Sequence, residues 1–452
     1  MFDLVLKNCM AVTPHGVVTS DVCVKDEKIA DIIPCGRDLP AVSVVDIGRK
    51  YLFPGVIDPH VHFNDPGLPE REDLRTGTMA AAAGGVTTVI DMPLSGNPTI
   101  ISLSALEQKK MSVIEKAVVD CALWGGLVND NTEYLVDMAG SGACAFKAFT
   151  CYAGEDFPYV TRDVLLKGMM EAAAHDFLIG VHCEDEKIVS VLESEAKSSG
   201  RNGVKDFLKA HPPISEEKAV EMVLEVAEIS GARVHICHAS IPSVVEKVVA
   251  ARSRGVKATV ETCPHYLIFT EDDLERMQGI LKCTPPVRKQ KDVDGMWDML
   301  LSGKIDMLGS DHSPSTRSQK KSLRGNFWDI WGGINGVQTF FPLLFYHGVI
   351  KRGLGVEDLA RLTSTKAAEI FGLWPEKGAI SVGCDADFMV FDPTEKWLVF
   401  QENLFYKNKH TPYHGMAVTG KVVMTFVRGK CVFDRGVINL IHGSVLHARR
   451  TN

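Results

Sequence analysis

Between residues 54 and 374 the chain alternates, eight times over, between a short apolar run and a longer segment of helical spacing. The runs are GVIDPHVHF, GVTTVIDM, VVDCALWG, ACAFKAF, FLIGVHCE, ARVHICHAS, VKATVET and IDMLGSDH. Apolar runs of this length, without polar alternation, suit strands covered on both faces, and such strands occur where helices pack on a parallel sheet. Between them lie pieces such as REDLRTGTMAAAAGG, SLSALEQKKMSVIEKA and EEKAVEMVLEVAEISG, some of them closed by the glycine that ends helices. Eight strand–helix units in series predict an α/β fold, a parallel (β/α)8 TIM-like barrel, with its functional site at the C-terminal ends of the strands.

The flanks have another rhythm. DLVLKNCMAVT and DVCVKDEKIADII before residue 54, and GAISVGCDADFMVFDP and VVMTFVRGKCVFDRGVI after residue 374, alternate apolar and polar positions between turn residues. Residues 1–53 and 375–440 are therefore expected to pair as one small β-sandwich domain formed by both termini, with 54–374 as the catalytic barrel. A chain of 452 residues is long enough for that division.

Charge narrows the partners. The formal net charge is −8 and no dense Lys/Arg block occurs, so no nucleic acid and no membrane surface is expected as a partner. No uninterrupted apolar stretch is long enough to span a bilayer, and MFDLVLKNCMAV lacks the form of a secretory leader; the expectation is a cytoplasmic protein. Twelve cysteines, scattered without CxxC pairs, fit reduced and mostly buried thiols.

The polar residues at the ends of the predicted barrel strands carry the chemistry. His60 and His62 close the first strand, Lys147 the fourth, His182 the fifth and His238 the sixth, and Asp311 lies at the end of the eighth. Period-two alternation turns His60 and His62 to the same side, so that both rings can face one ion. A lone buried histidine is usually a satisfied core residue, but four of them with a carboxylate at the mouths of separate strands point to a metal site. His265 and His312 fit better as packing neighbours than as ligands. Lys147 leaves two readings open. It is either a lysine extending its amine from a strand end, or a neutral amine that has added CO2 to form a carbamate whose two oxygens bridge divalent ions.

PGVIDPHVHFNDPG, TGTMAAAAGGVTTVIDMP, AFKAF, ETCPHYL, KCTPPVR, IDMLGSDHSP and KGAISVGCDADFMVFDP together resemble the cyclic amidohydrolases of the amidohydrolase superfamily, the group of allantoinases, hydantoinases, dihydropyrimidinases and dihydroorotases. The resemblance covers nearly the whole chain. It implies two divalent metal ions, most often Zn2+, with His60, His62 and Asp311 on one, His182 and His238 on the other, and N6-carboxylated Lys147 between them. It further implies hydrolysis of a small-molecule cyclic amide by a hydroxide bridging the two ions, with Asp311 as the catalytic proton shuttle. A homo-oligomer, a tetramer by resemblance, is expected.

Within that group WGGLV, DIWGGINGVQ and YKNKHTPYHGM look most like allantoinase, which opens the hydantoin ring of allantoin to give allantoate. NDPGLPEREDL lacks the Arg and the Trp that allantoinases carry after the HxH motif, and MPLSGNP departs from their MPLN pattern. The alternative is a hydantoinase or dihydropyrimidinase acting on 5-substituted hydantoins or dihydropyrimidines, whose carbonyl-contacting tyrosine matches Tyr152 and whose ring-contacting serine matches Thr284. Tyr152 can equally be an ordinary loop aromatic. Dihydroorotases place an arginine shortly after HxH, where this chain has Phe63 and Asn64. A non-catalytic scaffold on the same fold is the reading from another class. It is disfavoured because all six ligand positions hold competent side chains.

Overall fold

The structure, a computed structural model, describes residues 1–94, 96–321 and 325–450; Ser95 of the MPLSGNP stretch lies outside them. The chain enters through β1 (Phe2–Thr13), which turns back into β2 (Gly16–Lys25) and β3 (Lys28–Ile33), then runs on to β4 (Ala41–Asp46) and β5 (Tyr51–Pro54). A bulge between Leu6 and Cys9, with Asn8 in the left-handed region at φ 57°, divides β1 in two. Its first half pairs in parallel with β4, and its second half, at Met10 and Ala11, with β5.

Eight strands then follow in parallel: β6 (Val56–Val61), β7 (Val86–Asp91), β8 (Asp120–Gly126), β9 (Ala143–Phe149), β10 (Leu178–His182), β11 (Arg233–Ile236), β12 (Ala258–Thr262) and β13 (Met307–Leu308). Each coincides with one of the eight apolar runs, β8 passing one residue beyond its run to Gly126, and the sheet keeps sequence order from β6 to β13. The last strand is only two residues long. The ring is closed beyond it by a parallel bridge from Val61 to His312, with the His62 amide donating to the His312 carbonyl at 2.8 Å. Helices follow the strands as the pattern predicts. The first, Leu74–Ala83, is capped by the Asp73 carboxylate accepting from the Thr76 amide and buries its alanine-rich face against the barrel.

The chain returns to the terminal sheet through β14 (Phe388–Leu398), β15 (Ala417–Val427), β16 (Lys430–Asp434) and β17 (Val437–Ile438), giving nine strands drawn from both ends of the sequence. Leu6, Val22, Leu52, Phe388 and Phe426 form part of the core between its two halves. In GAISVGCDADFMVFDP the strand begins only at Phe388. The preceding residues turn instead, with Gly378 and Gly383 at φ of 101° and 94°.

One junction matters for the site. β14 pairs antiparallel with β5 from Tyr51 to Pro54, and a single residue, Gly55, separates β5 from β6. A side chain there would place its Cβ 2.1 Å from Thr87 Oγ1, so the crossing from terminal sheet to barrel requires glycine. Among the described residues no helix is long and apolar enough to cross a membrane.

Candidate metal centre at the barrel mouth

The strands deliver the six residues to one place. His60 lies in β6 and His62 just beyond it, Lys147 in β9, His182 at the end of β10, His238 two residues past β11, and Asp311 three past β13. All six line one cavity of about 1010 Å³ that opens from the C-terminal rim of the barrel. His238 and Asp311 reach it from backbone in the left-handed region, at φ of 38° and 47°. Non-glycine residues seldom adopt that conformation, and it concentrates at functional sites.

Two groups of donors face one another at separations that suit a cation. His60 Nε2 and His62 Nε2 lie 3.4 and 3.3 Å from Asp311 Oδ1. His182 Nδ1 lies 3.1 Å from His238 Nε2. Zinc–ligand bonds of 2.0–2.1 Å in a tetrahedron set donor atoms about 3.3 Å apart, so both groups match the edge of a coordination shell. Burial keeps the His60, His182 and His238 imidazoles below their ordinary pKa, leaving lone pairs free at neutral pH. Burial opposes ionisation of Asp311, but His60 and His62 outweigh it and bring the carboxyl to about 2.

Lys147 is fully buried, and among the described residues its Nζ has no hydrogen-bond partner. The Phe149 ring centroid lies 5.2 Å from it, the Cys237 thiol is a neighbour, and Lys147 bears electrostatically on His60, His182 and His238. A buried polar nitrogen left without a partner is costly, and that sets Lys147 apart from an ordinary core lysine.

Two carboxylates that the sequence pattern left unremarked orient the rings. Glu261 Oε1 lies 2.5 Å from His60 Nδ1, and Glu184 Oε2 lies 3.0 Å from His182 Nε2. Each carboxylate fixes the proton on the nitrogen it faces and turns the other nitrogen, as a bare acceptor, to the cluster. Burial works against ionisation of Glu261 and Glu184, yet their histidine partners hold both below the usual carboxylate range. Their signal was faint but present. Glu184 follows His182 by two residues, the alternation that linked His60 to His62, and Glu261 is the one acid in its own run, VKATVET.

The remaining candidates have distinct surroundings. Thr284 and Tyr152 line the same cavity, Tyr152 with 63% of its surface exposed and its amide donating to Glu186 at 2.8 Å. His312 is buried, and its Nδ1 accepts from the Gly336 amide at 3.1 Å. His265 is buried with neither ring nitrogen partnered, and burial lowers its pKa to about 4.

A mixed terminal sheet, a closed ring of eight parallel strands and a nest of histidines and carboxylates at its mouth define a hydrolase built on a TIM-like barrel. The chain belongs to the amidohydrolase family, which it matches from residue 51 to residue 432. It is similar to an allantoinase from Deinococcus radiodurans, 37% identical over 435 residues and covering 96% of each chain. An allantoinase from Escherichia coli O1:K1 / APEC is likewise 37% identical, over 96% of this chain and 95% of that one. Among solved structures, an L-hydantoinase from Arthrobacter aurescens superposes with a TM-score of 0.96 at 33% identity, over 99% of this chain and all of the other. A dihydropyrimidinase from Brevibacillus agri NCHU1002 gives 0.91 at 29%, over the whole of both chains.

Proposed function

We propose that this enzyme opens the ring of a cyclic amide and that its substrate is allantoin, converted to allantoate. The observation that carries the reading is the pairing of two donor groups, each spaced as ligands on one cation are, with the unpartnered Lys147 amine in the same cluster. His60, His62 and Asp311 would hold one divalent ion and His182 and His238 a second. Lys147, carboxylated at Nζ by CO2 with loss of an amine proton, would supply carbamate oxygens as further ligands. Zinc suits imidazole and carboxylate ligands at this spacing. Divalent ions bound there supply Lewis acidity, bringing the pKa of a water toward neutrality and polarising an amide carbonyl.

The rest is done by the chain. Asp311, ionised at neutral pH, accepts the proton lost by the attacking water and returns it to the ring nitrogen as the C–N bond breaks. Glu261 and Glu184 keep His60 and His182 in the tautomers the site needs. Tyr152 and Thr284 stand on the cavity wall where they can contact the ring. Water adds across one C–N bond and the ring opens to a ureido acid. The 37% identity to allantoinases over 96% of the chain supports the choice of substrate.

The structural likeness to hydantoinases supports a second reading, hydrolysis of 5-substituted hydantoins or dihydropyrimidines. Incubating zinc-loaded, bicarbonate-treated protein with allantoin, hydantoin, 5-substituted hydantoins, dihydrouracil and dihydroorotate separates the two. The highest kcat/KM is expected for allantoin. A higher value for an alkyl- or aryl-hydantoin makes the second reading correct, and no turnover of any ring overturns both.

A further inference from the structure

The cavity has a second chemical feature away from the histidines. The Arg71 guanidinium carbon lies over the Trp331 ring, 4.0 Å from its centroid, and both residues line the cavity. Arg71 Nε and Trp331 Nε1 are both buried, and neither has a hydrogen-bond partner among the described residues. Two buried N–H donors without acceptors, side by side on one wall, are costly unless something that enters the cavity pairs with them.

The backbones that present them are held firmly. Lys282 Nζ donates to the carbonyls of Phe327, Trp328 and Ile330 at 2.8, 3.2 and 2.7 Å. Lys320 Nζ donates to those of Trp331 and Gly333. The Arg71 carbonyl accepts from Asn408 Nδ2 at 2.6 Å. Asp156 lines the same cavity and, with Glu70, lies within electrostatic reach of the guanidinium, so the wall offers an acceptor as well as donors.

We infer that Arg71 and Trp331 form a specificity subsite for a neutral, planar substituent that carries both a carbonyl oxygen and N–H groups, such as a ureido group on the scissile ring. The inference rests on the cyclic-amide reading above and deepens it. A ureido oxygen accepts from Arg71 and Trp331, and its N–H groups face Asp156. An alkyl or aryl substituent leaves both donors unpaired, and a site that buries unpaired donors rejects such a ligand strongly. A carboxylate substituent would meet Arg71 but be repelled by Asp156.

The test compares kcat/KM for 5-ureidohydantoin (allantoin), unsubstituted hydantoin and 5-benzylhydantoin in the zinc-loaded wild type, Arg71→Leu, Arg71→Lys and Trp331→Phe. The allantoin-to-hydantoin ratio is expected to fall about ten- to a hundredfold in Arg71→Leu, the loss that follows from removing a hydrogen bond to a charged donor. The same ratio is expected to fall by a smaller factor, about threefold to tenfold, in Trp331→Phe, which keeps an aromatic ring and removes only the N–H. Arg71→Lys retains the charge without the planar fork and is expected to lie between wild type and Arg71→Leu. Relative activity on 5-benzylhydantoin rises in Arg71→Leu. Ratios that stay within about twofold of wild type in both Arg71→Leu and Trp331→Phe overturn the subsite, as does an equal loss on all three rings. If Arg71→Leu does not fold, Trp331→Phe alone decides. A wild type that opens hydantoin but prefers 5-benzylhydantoin overturns the subsite and leaves the cyclic-amide reading standing, whereas a wild type inactive on every ring overturns that reading and the subsite with it.

Discussion

Two buried lysines at opposite ends of the barrel make an instructive pair. Lys377, below the sheet, places Nζ 2.8 Å from Asp120 at the start of β8, 3.0 Å from Asp385 and 2.6 Å from Asp387. Arg428 and the Ser444 amide complete the Asp120 shell. Burial alone would strip the Lys377 proton, but Asp387, Asp120 and Asp385 outweigh it and raise the pKa above the usual lysine value. Lys147, at the mouth, is as deeply buried and has no carboxylate and no hydrogen bond. The lower lysine is balanced by the polypeptide and joins the terminal sheet to the barrel. The upper one has no such partners among the described residues. A buried amine whose partners are all present is architecture, and one without them is where the carbamate proposed above would form.

The sharpest way to break this contrast is Lys147→Ala. Turnover is expected to fall below detection and bound metal to drop well under two ions per chain, as measured by elemental analysis, while the melting temperature of the metal-free protein stays within a few degrees of wild type. Short carboxylic acids added to the variant are expected to restore part of the activity. Wild-type rates in this variant would remove the carbamate from the account. Asp311→Asn is expected to fold normally and lose about a thousandfold in kcat, within the range of a positioned proton-transfer group.

Lys377→Met reverses the pattern. It leaves three carboxylates with too few cations, and stability measured by denaturant unfolding is expected to drop by about 3–5 kcal/mol. The kcat of the fraction that remains folded should stay near wild type. Were turnover per folded molecule to collapse instead, the two ends of the barrel would not be separable as drawn. The smallest effect is expected for Glu261→Gln, which removes the charge facing His60 Nδ1 but keeps the shape. Metal affinity by competition with a chelator should weaken about ten- to a hundredfold, the usual loss when a carboxylate behind a ligating histidine is replaced.

The same contrast explains what could be read from the sequence. All eight barrel strands were legible because strands buried on both faces are written as unbroken apolar runs. His60, His62, Lys147, His182, His238 and Asp311 stood out because each sits at the edge of such a run, where a polar residue is conspicuous. Glu184 and Glu261 were less visible, since their meaning depends on which ring nitrogen they face. The Lys377 network was not read as such: Lys377, Asp385 and Asp387 all lie in KGAISVGCDADFMVFDP, but Asp120, which completes it, is 257 positions from Lys377. Arg71 and Trp331 each lie in a quoted stretch, NDPGLPEREDL and DIWGGINGVQ, but their contact was hidden because loops 260 positions apart bring them together at the rim. GAISVG was misleading because its apolar residues fill the space between turns set by Gly378 and Gly383.

The pairing of β14 with β5 bears on how such a chain is made. β5 passes through one residue into the strand that bears His60 and His62, yet its antiparallel neighbour, Phe388–Phe391, comes more than three hundred positions later. During synthesis the ribosome must therefore have produced most of the polypeptide before that strand is braced from both sides. A truncated product ending short of residue 388 would carry every one of the six side chains without the support that holds the first two in place.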